Sequence, residues 1–301
     1  MLSVSRGMSA GQAGGYFSRE DYYLKGEELE SCSRWHGKGA ESLGLAGGVR
    51  EEEFRALCAG RDPATGERIV APRLSRDKET GELIERHRAG NDGNFSAPKT
   101  VSIGYVAGVA GIKEAHDAAL ASVLGHMEEH YALYRSPDGI RNGKLVAASF
   151  DHATSRNLDP QLHSHVFFLN AVQAEDGSWK ANWNRPLFQD QKSLGLLYRQ
   201  ELAHELAERG FGIVITDRSQ MFIELKGVDP RLVEHFSSRR AAIESQIALW
   251  KSEGKFLGVP HAKLYEMAAL ETRDPKREVA REEVVKTFER GFESCGTSTG
   301  N

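Results

Sequence analysis

The chain has 301 residues, 40% of them hydrophobic and 27% charged. That composition is globular and excludes collagen-like, disulfide-rich and disordered classes. Lys and Arg total 39 against 43 Asp and Glu, a net charge of −4, which excludes a uniformly basic nucleic-acid coat but leaves room for a local basic groove. No apolar run approaches the roughly 20 residues that cross a bilayer. The start, MLSVSRGMSAGQ, lacks the apolar core of a signal peptide. Three widely separated cysteines, Cys32, Cys58 and Cys295, suit a reducing, cytoplasmic setting.

In chain order, Leu2–Ser5 reads as a short strand, and SAGQAGG as a flexible lead-in to the aromatic residues Tyr16, Phe17, Tyr22 and Tyr23. Ala59–Gly90 is polar and turn-rich, with basic residues near its end, and reads as loops or a long hairpin. TVSIGYVA, Thr100–Ala107, reads as a strand, and Gly111–Arg135 as a helix. Lys144–Phe150 and Leu162–Val172 read as two strands of an antiparallel hairpin. Gln189–Arg209 is the clearest helix, with Leu194, Leu197, Tyr198, Leu202 and Leu206 on one stripe and Gly210 as its stop. Gly212–Thr216 and Met221–Leu225 flank a short turn and form a second hairpin; after Pro230 the pattern is helical and charged. The expectation is an α+β fold: a central, mostly antiparallel sheet flanked by helices over 1–229, then a helical extension over 230–301.

The strongest chemical signal is His152 followed by His163-Ser164-His165. Residues i and i+2 of a strand share a face, so His163 and His165 project together. His152 stands at the end of the preceding strand, where pairing brings its imidazole to the other two. Three neutral imidazoles can hold one divalent ion and leave coordination positions open for a substrate oxygen. Imidazoles alone favour zinc or copper over magnesium or manganese, and phosphate oxygens shift the preference to the harder ions. A zinc hydrolase is the rival reading, but no HExxH occurs and no glutamate stands beside the cluster as a water-activating base.

Tyrosine is a possible covalent nucleophile, although four aromatics within eight positions, taken alone, better suit a hydrophobic plug. Several phrases decide between these readings: SAGQAGGYFSREDYY, WHGKGAESLGLAG, FSAPKTVS, HATSRNLDPQLHSHVFFLNA, GSWKAN, LYRQELAHELAERGF and AALETRDPK, in that order. With them the chain resembles the relaxase domain of the MobF family, conjugative relaxases of the HUH endonuclease superfamily. The resemblance implies an HUH/RRM-like palm with a helical C-terminal clamp that closes over DNA. It implies site- and strand-specific cleavage of single-stranded DNA at the nic site of an origin of transfer, a covalent 5′-phosphotyrosyl intermediate, and strand rejoining. HUH nucleases of rolling-circle replication or transposition share the chemistry and are the alternative.

The resemblance places the first nucleophile at Tyr16 and the second at Tyr22 or Tyr23; Phe17 departs from the family's tyrosine pair. It places the acidic residue upstream of FSAPK at Asp92, to orient a ligand histidine or accept the tyrosine proton. The ion on His152, His163 and His165 would be Mg²⁺ or Mn²⁺, with Zn²⁺ or others able to occupy the site. Arg73, Arg76, Lys78, Arg86, Arg88, Lys99, Arg156, Arg273 and Lys276 are candidates for the DNA groove. Expected partners are single-stranded DNA, the origin hairpin, other relaxosome proteins and a type IV secretion coupling protein. The expected location is the bacterial cytoplasm, with export alongside DNA as a further option. No GxxxxGK[ST] is present, so no helicase is expected within this chain.

Overall fold

In the computed structural model the described residues are 2–5, 7–13, 32–77, 80–273 and 281–296. Among them, seven strands form one sheet. Its central order is β1 (Leu2–Val4), β6 (Arg88–Ser96), β10 (Pro160–Gln173), β9 (Lys144–Thr154) and β3 (Ser33–His36). Short strands β2 (Met8–Ser9) and β11 (Trp179–Lys180) pair with β6 and β10. Every pairing in this sheet is antiparallel, as the sequence led one to expect. Three two-stranded ribbons stand apart: β4 (Arg73–Arg76) with β5 (Leu83–Arg86), β7 (Leu133–Ser136) with β8 (Gly139–Asn142), and β12 (Ile213–Asp217) with β13 (Phe222–Leu225).

The strand alternation sends apolar side chains to both faces. Leu162, Val166 and Phe168 of β10 pack against two long helices, α4 (Ile112–Tyr131) and α6 (Gln191–Glu208). The expected stripe on α6 is buried at Leu194, Tyr198, Leu202 and Leu206, and Gly210 follows at φ +83°, a left-handed stop that glycine adopts without a Cβ penalty. On the other face Phe150 and Phe167 pack edge-on against Phe54 of α2 (Glu51–Cys58). Trp35 of β3 and Ala40 of α1 (Lys38–Ser42) belong to the same cluster. Among the described residues it covers part of the face, and a cleft lies beside it.

Thr100–Ala107 is not a strand. It forms α3 (Lys99–Val106), which begins directly after Pro98 at φ −58°. Proline suits a helix start, and burial overrides the β preference of the Val and Ile side chains. The hydroxyls are put to use: the Leu162 N–H donates to Ser102 Oγ at 3.0 Å, and the Leu225 N–H donates to Thr100 Oγ1 at 2.9 Å. Both sheet and ribbon are thereby tied to this helix.

After α5 (Arg185–Gln189) and the ribbon of β12 and β13, the chain continues as α7 (Pro230–His235), α8 (Ser238–Ser252), α9 (His261–Glu271) and α10 (Arg281–Ser294). These helices divide by packing. α7 and α10 share a cluster with Ile103 of α3, through Leu232, Phe236, Val284, Phe288 and Phe292. α8 and α9 have their own, of Ile243, Ile247, Trp250, Leu264 and Ala268. No described helix is long and apolar enough to cross a membrane.

Candidate metal centre and DNA cleft

His163 pairs directly with His152 across β10 and β9, and His165 lies two residues further along β10. The three rings stand 4.9, 5.1 and 5.3 Å apart between centroids. A set of ligand nitrogens, one from each ring, lies within 4.8 Å of one another. Register brings β6 into the same site: Asp92 opposes Phe167 and Asn94 opposes His165, so both point to the histidine face.

The hydrogen bonds assign the tautomers. His163 Nδ1–H donates to the Gln161 carbonyl at 2.8 Å, which leaves its Nε2 as a lone pair. His165 Nδ1–H donates to the Asp92 carboxylate at 3.0 Å, which leaves Nε2 to accept from Asn94 Nδ2–H at 3.2 Å. His152 Nδ1 lies 3.3 Å from His163 Nε2. Burial, helped by the neighbouring His165, lowers the His163 pKa to about 4, against the pull of Gln161, Asp92 and Asp151. A neutral imidazole anchored through one nitrogen and presenting the other is the arrangement that divalent-metal sites use. The donor set therefore fits one divalent ion.

His163 and His165 border a cleft of about 430 Å³ lined also by Asp92, Asn94, Gln161, Arg156, Arg239 and Arg273. Arg239 belongs to α8, and Arg273 follows α9, so the C-terminal helices form one wall of the site. Arg239 donates to the Ala269 and Thr272 carbonyls at the end of α9. Ser238 Oγ donates to Asp159 at 2.7 Å, linking α8 to the β9–β10 connection.

Arg156 and Arg273 line the same cleft as His163 and His165. Lys99 instead donates to the Pro160 carbonyl at 2.8 Å, fastening α3 to the start of β10. Arg73 and Arg86 oppose each other in the β4–β5 ribbon, Arg76 ends the first strand of that ribbon, and Arg88 opens β6 of the central sheet. Tyr16, Tyr22, Tyr23, Lys78 and Lys276 lie outside the described residues. Ala13, the last described residue before the tyrosines, is buried in the cluster on the histidine face. Asn94 and Arg239 are among the cleft residues that the sequence did not single out. Asn94 was detectable by i, i+2 spacing from Asp92 on a strand; Arg239 carried no signal, because one arginine on a charged helix reads as solvated surface.

A family profile described as TrwC relaxase matches residues 10–294. The chain belongs to the TrwC relaxase family. It is 33% identical over 294 residues to the multifunctional conjugation protein TraI of Escherichia coli strain K12, covering 93% of this chain and 15% of that one. A second Escherichia coli TraI is 34% identical over the same length. The chain spans about 15% of the length of these curated relatives. Among solved structures, the conjugative relaxase TrwC in a metal-bound complex with oriT DNA matches with a TM-score of 0.81 and 31% identity over 100% of both chains. A copper-bound TrwC–oriT complex matches at 0.80 and 30%, again over both whole chains. TrwC bound to a 27-mer that comprises the recognition hairpin and the cleavage site matches at 0.78 and 30%, with the same coverage. The TrwC relaxase fold and the MobF-family membership are those the sequence motifs implied.

Proposed function

We propose that this chain is the relaxase of a conjugative element, cleaving single-stranded DNA at the nic site of an origin of transfer and rejoining strands. One observation carries the reading: three imidazoles and Asp92 converge on an open sheet face within an arginine-edged cleft. The likeness to TrwC bound to a hairpin and cleavage site supports it.

In this reading the Tyr16 hydroxyl attacks the scissile phosphorus. The new P–O bond to tyrosine forms as the bond to the 3′ oxygen breaks, the tyrosine proton leaves to solvent or a carboxylate, and the 3′ oxygen departs as a hydroxyl after taking up a proton. Tyr22, or alternatively Tyr23, accepts the strand in a second transfer. His152, His163 and His165 would hold one divalent ion, magnesium or manganese in function, which supplies charge neutralisation at the nonbridging phosphate oxygens. Asp92, facing His165 through both carboxylate oxygens, acts by orienting that imidazole. Arg156 and Arg273 pair with phosphates along the strand. The ribbon bearing Arg73, Arg76 and Arg86, with Arg88 at its base, contacts the origin hairpin. Residues 1–229 form the catalytic core and 230–301 the extension that closes over DNA, with α7 and α10 packed firmly enough on α3 to serve as its base. The partners are the origin hairpin, other relaxosome proteins and a type IV secretion coupling protein, met in the cytoplasm.

Incubating the protein with Mn²⁺ and single-stranded oligonucleotides tiled across the element's origin, followed by a denaturing gel, tests this. A covalent protein–DNA band is expected with one oligonucleotide. Tyr16→Phe abolishes it, Tyr22→Phe preserves it, and His163→Ala loses it at limiting metal. A normal band from Tyr16→Phe sinks the assignment of the nucleophile.

A further inference from the structure

Behind the histidines, on the opposite face of the sheet, lies a second polar cluster. Ser164 separates His163 from His165, so its side chain points the other way, and it is fully buried. It opposes Asp151 in register, one step from the His163–His152 pair. Ser164 Oγ donates to Asp151 Oδ1. His116 Nε2 of α4 lies 2.8 Å from Ser164 Oγ, and His116 Nδ1 lies 2.7 Å from the Tyr198 hydroxyl of α6. Lys113 Nζ donates to Asp151 Oδ2 at 2.8 Å and also bonds Asp117.

Directions follow from chemistry. The Asp151 carboxylate can only accept, so Ser164 donates to it and accepts from His116 Nε2–H. His116 Nδ1 must then accept from Tyr198. Burial holds the His116 pKa down to about 3, so the ring is neutral and has one N–H to give. Tyr198, His116, Ser164 and Asp151 form a relay in which each donor faces the next acceptor, with Lys113 balancing the carboxylate. Buried networks of this kind fix geometry when fully satisfied. The place matters: the β9–β10 ladder is irregular between Pro160 and His163. The His163–His152 pair therefore sits at the last regular step of that ladder, next to the irregularity, with the His165–Phe150 pair two residues further in.

We propose that Ser164, Asp151 and His116 are positioning residues that set the separation of His152, His163 and His165 from behind the sheet. This rests on the reading of those histidines as a metal site. The test is titration of the full chain with Mn²⁺ in the absence of DNA. Ser164→Ala should raise the Mn²⁺ dissociation constant by about tenfold, the scale of outer-sphere effects on metal sites. Ser164→Thr, which keeps the hydroxyl, should restore it. Hairpin DNA affinity measured in chelator should not change. Leu206→Ala, a cavity in the same helix layer, should lower the melting temperature without moving the Mn²⁺ midpoint. If Ser164→Ala does not fold, Tyr198→Phe, which removes only the outermost hydroxyl, should raise the constant less but in the same direction. Unchanged Mn²⁺ binding by whichever of these two variants is folded overturns the inference. Wild-type binding lost in His163→Ala but intact in Ser164→Ala overturns this inference alone; no wild-type binding at all overturns the metal reading and this inference with it.

Discussion

Both carboxylate oxygens of Asp92 lie 3.0 Å from Nδ1 of His165. A carboxylate can only accept here, so the imidazole must carry its proton on Nδ1 and turn Nε2 towards the cleft. Asp92→Ala frees the ring to rotate and to take the other tautomer. Metal affinity should fall by about 10- to 100-fold. Cleavage should recover in part at high Mn²⁺, whereas hairpin affinity without metal should stay at the wild-type level. A Mn²⁺ titration of cleavage checks this; an Asp92→Ala variant with wild-type metal dependence would show that the residue acts on something other than His165.

The histidine centre was legible because its geometry is local. An HxH on a strand needs only period-two alternation to converge, and His152 needs only its neighbour to pair in the obvious antiparallel way. Asp92 was not legible from pattern. In AGNDGN it looks like a turn residue, and only the resemblance singled it out; the structure places it in the middle of β6, a continuous strand over Arg88–Ser96. Thr100–Ala107 failed in the other direction. Its β-branched residues favour a strand, yet buried hydroxyl partners on β10 and β13 hold it as a helix. The cluster behind the histidines joins residues 113, 116, 117, 151, 164 and 198, a spacing that no sequence window contains.

Arg273 lines the cleft beside the histidines and is exposed. In the proposed role of phosphate contact it would displace counterions from the strand. Arg273→Ala should weaken single-strand binding uniformly across sequences and reduce the slope of log affinity against log salt by about 0.7. Arg156→Ala should do the same, because Arg156 lines the same cleft. Filter binding at several salt concentrations reads the slope directly. Weaker binding with an unchanged slope would mean that these arginines support the cleft wall and do not touch phosphate.

Acid should destabilise the fold before it protonates the half-buried Asp151. Burial, with Arg34 acting in the same direction and Asp151 opposing, lowers the His36 pKa to about 4. Burial also holds His116 at about 3 and His163 at about 4. In the unfolded chain each titrates near 6.5. Above that value neither state is charged and the three contribute no slope. Between about 6.5 and 4 the unfolded chain binds protons that the native chain refuses, so unfolding becomes easier as pH falls. Each histidine contributes about 1.4 kcal/mol per pH unit where its two states differ fully. Asp151 works at lower pH: burial alone would raise its pKa, but Lys113 and Ser164 outweigh burial and lower it, so its share is lost below the usual carboxylate range. Chemical denaturation in chelator, repeated from about pH 7.5 to about pH 4.5, should show a flat upper region and then a steep decline beginning near 6.5. His36→Gln should make that decline shallower by roughly one histidine's share. A stability that stays flat down to about pH 4.5 would mean that these rings accept protons in the native state, against the neutral tautomers that the metal centre and the cluster behind it require.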